Sequence, residues 1–267
     1  MSERLQYVVH EGDGPPLLML HGVLSSNAQW LPNVEALRRV ATPVTVEMWG
    51  HGSSPSPLDV ERYRPQSYVD EFETIRGELG IERWYLCGYS LGAGITIRYA
   101  FTHPERVIAH VFTNSASAFA DRETRERFSA DPGQVIARFE AGGLAAIEAI
   151  PVHPKHARRL PENVYRALCR DAKRLDPGGV ARTLAYTNAH ASVREELHRN
   201  TRPALLAFGR LEKRFRANCE FAKANMPHLT VAELEAGHAV NAQDAEGFNA
   251  AVAGFLTKWA RGNRPGG

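Results

Sequence analysis

An α/β fold built on a mostly parallel, doubly wound sheet is predicted by three features of the sequence. Short, continuous apolar runs alternate with segments of helical periodicity, the pattern of strands covered on both faces. That alternation stops near Ser115 and resumes near Pro203, which marks a helical insertion in an otherwise regular chain. Several of the apolar runs also empty into loops rich in Gly, Ser and His, where the carboxyl edge of such a sheet carries its site.

The elements follow in order. Leu5 to Val9 reads as a first strand, and the turn cluster Gly12-Asp13-Gly14-Pro15-Pro16 precedes a second, Leu17-Leu18-Met19-Leu20, too short and continuous for an amphipathic helix. A helix is expected from about Trp30 to Arg39, then a strand Val44 to Met48 that opens into a Gly-, Ser- and Pro-rich loop to Pro57. Ser67-Tyr68-Val69-Asp70 has the capping-box pattern, and Val69, Phe72, Ile75 and Leu79 recur at helical spacing until Gly80. Trp84 to Cys87 is a strand, the following segment a helix to His103-Pro104, and Val107 to Thr113 another strand.

From Ser115 to Asn200 only helical segments are expected: Gln134 to Phe139, Leu144 to Ile150, Asn163 to Leu175, Val180 to Asn188 and Val193 to Leu197. Asp131-Pro132-Gly133, Pro151 to Pro161 and Asp176-Pro177-Gly178-Gly179 separate them as breakers. The sheet pattern returns with Pro203 to Gly209, a helix to Met226, a strand Val231 to Leu234, a loop carrying Gly237-His238, and a last helix ending near Trp259. The domain reading is therefore a core of residues 1–114 and 201–260, an insertion of 115–200, and an unstructured tail, 261–267.

Composition narrows the function classes. The 267 residues are 43% hydrophobic and 23% charged, ordinary for a globular protein, and a net charge of +2 implies no general affinity for nucleic acid or membrane. Three scattered cysteines, Cys87, Cys169 and Cys219, give neither a disulfide framework nor metal-ligand spacing. The beginning of the chain lacks a signal-peptide core, and no run is long and apolar enough to span a bilayer. The expectation is a cytoplasmic protein with a small-molecule substrate and no metal or cofactor.

The chemistry is expected at Leu86-Cys87-Gly88-Tyr89-Ser90-Leu91-Gly92-Ala93-Gly94, where an apolar strand runs into Gly-x-Ser-x-Gly and then a small-residue helix start. A helix packed tightly on a strand would favour the same small residues, so the motif counts only with partners. A serine hydroxyl needs a base, itself oriented by a third group. His238 fits the base, a few residues beyond the final strand; as one of 11 histidines it also fits a surface turn. Glu212 fits the acid, three residues after Gly209, although Arg210-Leu211-Glu212-Lys213-Arg214 reads equally as a solvated charged turn, and Asp121 is an alternative carboxylate. The N–H of Leu91 and that of Val23, which follows His21-Gly22, are the candidate oxyanion donors. His21 is expected to hold that loop rather than to transfer protons.

With His21-Gly22, Gly50-His51-Gly52-Ser53-Ser54, Gly88-Tyr89-Ser90-Leu91-Gly92, His103-Pro104-Glu105-Arg106-Val107 and Gly237-His238 in that order, the chain resembles the α/β-hydrolase superfamily from about Leu5 to Trp259. The resemblance implies a sheet of about eight strands with the insertion as a helical cap, and a Ser90, Glu212, His238 triad. It departs from the family in offering Glu212 where aspartate is usual, and Glu47-Met48-Trp49 where relatives often carry aspartate and arginine. Serine at position 90 counts against the dehalogenases and epoxide hydrolases, which use a carboxylate nucleophile. The implied activity is hydrolysis of an ester, lactone or thioester through an acyl-serine. Carbon–carbon bond hydrolysis or lysis with the same triad is the alternative, and a non-catalytic ligand-binding relative is the alternative of another class. Within the cap, Lys155-His156-Ala157-Arg158-Arg159 reads more readily as a solvated face than as an anion site, and Trp30, Trp49, Tyr89 and Phe119 are candidates for the pocket wall.

Overall fold

A computed structural model describes residues 3–129 and 131–260, so the expected tail lies outside the described residues. Among the described residues seven strands form one sheet, where about eight are expected: β1 (Tyr7–Val9), β2 (Pro16–Leu20), β3 (Thr42–Val46), β4 (Trp84–Gly88), β5 (Val107–Thr113), β6 (Ala204–Gly209) and β7 (Leu229–Leu234). Each apolar run makes one strand, and no further run is left to make an eighth. The order across the sheet is β1-β3-β2-β4-β5-β6-β7, with β1 antiparallel to β3 and every other pair parallel.

The runs are continuous because both faces are buried, and alternate residues serve opposite sides. Leu17, Met19, Tyr85 and Cys87 pack on one face with Phe248, Val252 and Leu256 of the C-terminal helix. Leu18, Leu20, Val44 and Leu86 pack on the other with Val69, Phe72 and Ile95.

The helices are α1 (Val34–Leu37), α2 (Pro65–Glu78), α3 (Leu91–Thr102), α4 (Arg122–Ser129), α5 (Pro132–Glu148), α6 (Glu162–Ala172), α7 (Pro177–Arg182), α8 (Arg216–Asn225), α9 (Val240–Gln243) and α10 (Ala245–Ala260). The first differences from the sequence reading have local reasons. The expected Trp30–Arg39 helix is a 3-10 turn, Asn27–Trp30, and the single-turn α1, divided at Pro32, which has no N–H to continue the ladder. In α2 the start is set not by the capping box at Ser67 but by Pro65 in the first helical position after Arg64. Asp131-Pro132-Gly133, expected as a breaker, instead begins α5: the Asp131 carboxylate accepts the Gln134 N–H.

Between β5 and β6 the described residues form no strand. The helices α4 to α7 continue through a π-helical turn, Thr183–Asn188, and a 3-10 segment, Arg194–Arg199. α4 has no counterpart in the sequence reading because it buries no residue and so carries no apolar stripe. Among the described residues no helix is long and apolar enough to cross a membrane.

Candidate active site

Four loops at the carboxyl ends of β2, β4, β6 and β7 meet at Ser90. The serine itself lies between β4 and α3 with φ 53° and ψ −118°, a backbone conformation that L residues rarely adopt and that persists only when the surroundings enforce it. Its N–H donates to Thr113 Oγ1 at the end of β5, 3.1 Å away. Gly92 makes the turn possible: a Cβ there would lie 2.5 Å from the Leu20 carbonyl oxygen and 2.6 Å from that of His21.

β6 and β7 deliver the other two side chains. The Leu211 N–H donates to the Ala236 carbonyl at 3.0 Å, tying the two loops together. His238 Nδ1 then lies 3.1 and 3.2 Å from the Glu212 carboxylate oxygens, and His238 Nε2 lies 2.9 Å from Ser90 Oγ. With Nδ1–H donating a hydrogen bond to the carboxylate, Nε2 is the acceptor for the serine hydroxyl. Burial would raise the pKa of Glu212, but the hydrogen bonds and positive charge supplied by His238, with Asn114 adding a donor, outweigh it and hold the carboxyl below its ordinary value.

Asn114, directly after β5, is absent from the sequence reading. Its Oδ1 accepts the Gly209 N–H at 3.1 Å, and its Nδ2 donates to the Gly209 carbonyl at 3.1 Å and to Glu212 Oε2 at 2.8 Å. It therefore fastens the end of β5 to the end of β6 and aims the carboxylate. The only sequence signal is a polar residue at the strand's carboxyl edge. Asp121, the alternative acid, instead accepts the Thr124 N–H at the start of α4.

The loop after β2 approaches from the other side. A Cβ on Gly22 would stand 2.8 Å from Ser90 Cβ, so glycine is what allows the approach. His21 holds this loop, its Nδ1–H donating to the Gly22 carbonyl at 2.7 Å while Nε2 accepts the Met48 N–H at 3.2 Å. His51, a motif residue without an expected role, accepts the Leu24 N–H at 3.0 Å and donates from Nδ1 to the Trp49 carbonyl at 2.8 Å. Burial pushes His21 down to about 4 and, with His21 beside it, His51 to about 3, so both stay neutral supports. Glu47 adds carboxylate contacts to the N–H groups of Asn27 and Ser53. Among the described residues the N–H groups of Val23 and Leu91 find no backbone acceptor.

A cavity of about 500 Å³ opens over Ser90 and is lined by the four loops and by the helical insertion. Tyr89 lines it, with its ring against His238 at a centroid distance of 5.6 Å. Trp30, Trp49 and Phe119 do not line it; each is fully buried in the core, Trp30 against Tyr89, Trp49 beneath the Arg62 guanidinium, and Phe119 among Phe112 and Phe215. Within the basic cluster Lys155 pairs with Glu148 at 2.9 Å, and Arg158 and Arg159 are exposed and off the cavity wall. Among the described residues no Lys or Arg lines the cavity. Among the described residues no three His, Cys, Asp or Glu side chains gather as a metal site.

The family model described as alpha/beta hydrolase fold matches residues 15–245. A protein of Bacillus subtilis (strain 168) named putative 2-succinyl-6-hydroxy-2,4-cyclohexadiene-1-carboxylate synthase is 27% identical over 270 residues, covering 96% of this chain and 97% of that protein. Carboxylesterase YbfK of the same organism is 25% identical over 254 residues, covering 91% of this chain and 81% of the relative. Among solved structures, MenH from S. aureus superposes with a TM-score of 0.83 at 17% identity over 97% of this chain and 99% of that one, a likeness of fold.

Proposed function

The chain belongs to the α/β-hydrolase fold family, and on that premise we propose that it is a serine hydrolase cleaving a carboxylic ester, lactone or thioester through an acyl-serine intermediate. The observation that carries the proposal is the unbroken chain from Ser90 Oγ to His238 Nε2 at 2.9 Å and from Nδ1 to Glu212 at 3.1 Å. In this reading His238 takes the Ser90 proton as Oγ attacks the carbonyl carbon, and Glu212 stabilises the imidazolium that results. The N–H groups of Val23 and Leu91 receive the oxyanion. Collapse expels the alcohol or thiol with the proton from His238, and water repeats the cycle on the acyl-serine.

The insertion acts as a cap in this reading, walling the cavity with apolar side chains such as Phe128, Leu160, Leu168 and Leu184. The substrate is a small molecule, and nothing in the mechanism asks for a cofactor. Ser90→Ala tests the assignment: turnover of an activated short-chain ester and labelling by a serine-directed phosphonate should both disappear, and labelling that persists in the variant would overturn it.

A second reading keeps the triad for proton transfer in carbon–carbon bond cleavage or elimination, and the name of the nearly full-length Bacillus subtilis relative supports it. That name specifies a carboxylate, whereas among the described residues no Lys or Arg lines the cavity to receive one, which favours the neutral ester. Product analysis separates the two: an acyl-serine trapped with an ester supports the first, and its absence during turnover of a dienone-type substrate supports the second.

A further inference from the structure

Most of the polar groups around the cavity already have partners. Ser25 Oγ bonds Gln29, Gln243 Oε1 accepts the Gly237 N–H, and His156 Nε2–H donates to the Glu148 carbonyl at 3.0 Å. His153 carries a ring nitrogen that has no partner among the described residues. It precedes the 3-10 turn Pro154–His156 within the insertion, lines the cavity, and is only 6% exposed. Its Nδ1 accepts the Lys155 N–H at 3.2 Å, and a ring nitrogen that accepts carries no proton. The proton therefore sits on Nε2, for which no hydrogen bond exists among the described residues.

Burial lowers the pKa of His153 from 6.5 more than nearby Glu148 raises it, with Lys155 and His156 opposing that carboxylate, so the ring is neutral at pH 7. A neutral N–H without a partner, on a residue that lines a largely apolar cavity, is stabilised by whatever acceptor a ligand brings to it. With no Lys or Arg among the described residues of the wall, the matching acceptor is itself neutral.

We propose that His153 is a specificity-determining residue whose Nε2–H binds a ketone or hydroxyl oxygen carried on the substrate away from the bond that is cleaved. The preferred substrates are then oxo- or hydroxy-substituted esters or lactones rather than plain ones. This deepens the ester-hydrolase reading and rests on it.

The test compares 4-nitrophenyl esters of straight-chain acids with the same esters carrying an oxo or hydroxy group at successive chain positions. What is read is the ratio of kcat/KM, substituted over plain, within each protein, which does not depend on the fraction folded. Wild type should show a ratio of about ten or more at one position, the scale of one neutral hydrogen bond. His153→Asn keeps an oxygen that can accept the Lys155 N–H but withdraws the donor from the cavity, and its ratio should fall to near one. His153→Gln reaches the Nε2 position with an N–H donor and should retain the preference. A flat ratio in wild type, a ratio unchanged in His153→Asn, or one lost in His153→Gln overturns the proposal while turnover of plain esters continues. If even the plain esters are untouched and Ser90 resists the phosphonate, the hydrolase reading itself fails and this inference goes with it.

Discussion

The carboxyl edge of the sheet and the helical insertion share one cavity but are held by different forces. At the edge, Ser90, Glu212 and His238 each stand within a few residues of a strand end and are joined by hydrogen bonds of 2.9 to 3.2 Å, with Asn114 and Thr113 fastening the loops behind them. In the insertion, α4 buries no residue and α5 buries only Phe139 and Ile147, while exposed ion pairs such as Arg122–Glu126 and Arg166–Glu162 decorate the outside. Exposed pairs of this kind contribute little to stability. The contrast separates two kinds of substitution: changes at the edge should alter the rate for every substrate, and changes in the wall should alter the ratio between substrates.

The strongest way to break that contrast is at Glu212. Glu212→Gln keeps the shape and an acceptor but removes the charge opposite the imidazolium, so kcat for an activated ester should fall by about 10³-fold or more, with KM little changed. Near-full activity would leave the edge without its acid and remove the distinction. Gly22→Ala comes next. The new methyl must displace either Ser90 or the loop carrying Val23, since its Cβ would start 2.8 Å from Ser90 Cβ. Displacement on that scale should slow the acylation burst by about 10²-fold for short and long esters alike.

Buried histidines also set a pH dependence of stability. His21, His51 and His110 are buried neutral, with burial as the main cause of folded pKa values of about 4, about 3 and about 4. The unfolded chain binds protons near pH 6.5 that the folded state refuses, so stability is full above 6.5 and falls as pH drops from there through the folded values. Each group contributes up to about 1.4 kcal/mol per pH unit inside that window. Urea unfolding between pH 7 and pH 5, above the carboxylate range, should show the decline; a flat profile would mean that these rings are hydrated or already charged when folded.

The same contrast explains what was legible in the sequence. Ser90 and the Gly22 loop could be read because the backbone leaves no choice there: a positive φ and a Cβ-excluding approach demand recognisable residue types next to apolar runs, whereas His238 could be read only from its place in the order, a few residues beyond the final strand. Glu212 could be proposed from its distance past β6, but a charged turn looks the same until Leu211 is tied to Ala236. Asn114 was not legible, since one asparagine after a strand has no pattern and its two roles exist only in three dimensions. Trp30, Trp49 and Phe119 read as wall candidates because size and apolarity do not distinguish a core from a cavity. α4 left no trace at all, because a helix that buries nothing writes no periodicity.

The smallest effect should come from the wall, and it tests the contrast from the other side. Leu184 lines the cavity at the start of the π-helical turn and packs beside the cluster formed by Leu24, Val180 and Phe139. Leu184→Ala enlarges the space available to an acyl chain by about three carbons, and apolar pockets discriminate one methylene by only about tenfold. The expected outcome is a shift of the kcat/KM optimum toward longer straight-chain esters by a few-fold to tenfold, while phosphonate labelling of Ser90 proceeds at close to the wild-type rate. If labelling slows as much as in Gly22→Ala, the wall is mechanically coupled to the triad. The insertion would then be part of the machinery that aligns Ser90, and substrate choice and rate would not be separable in this fold.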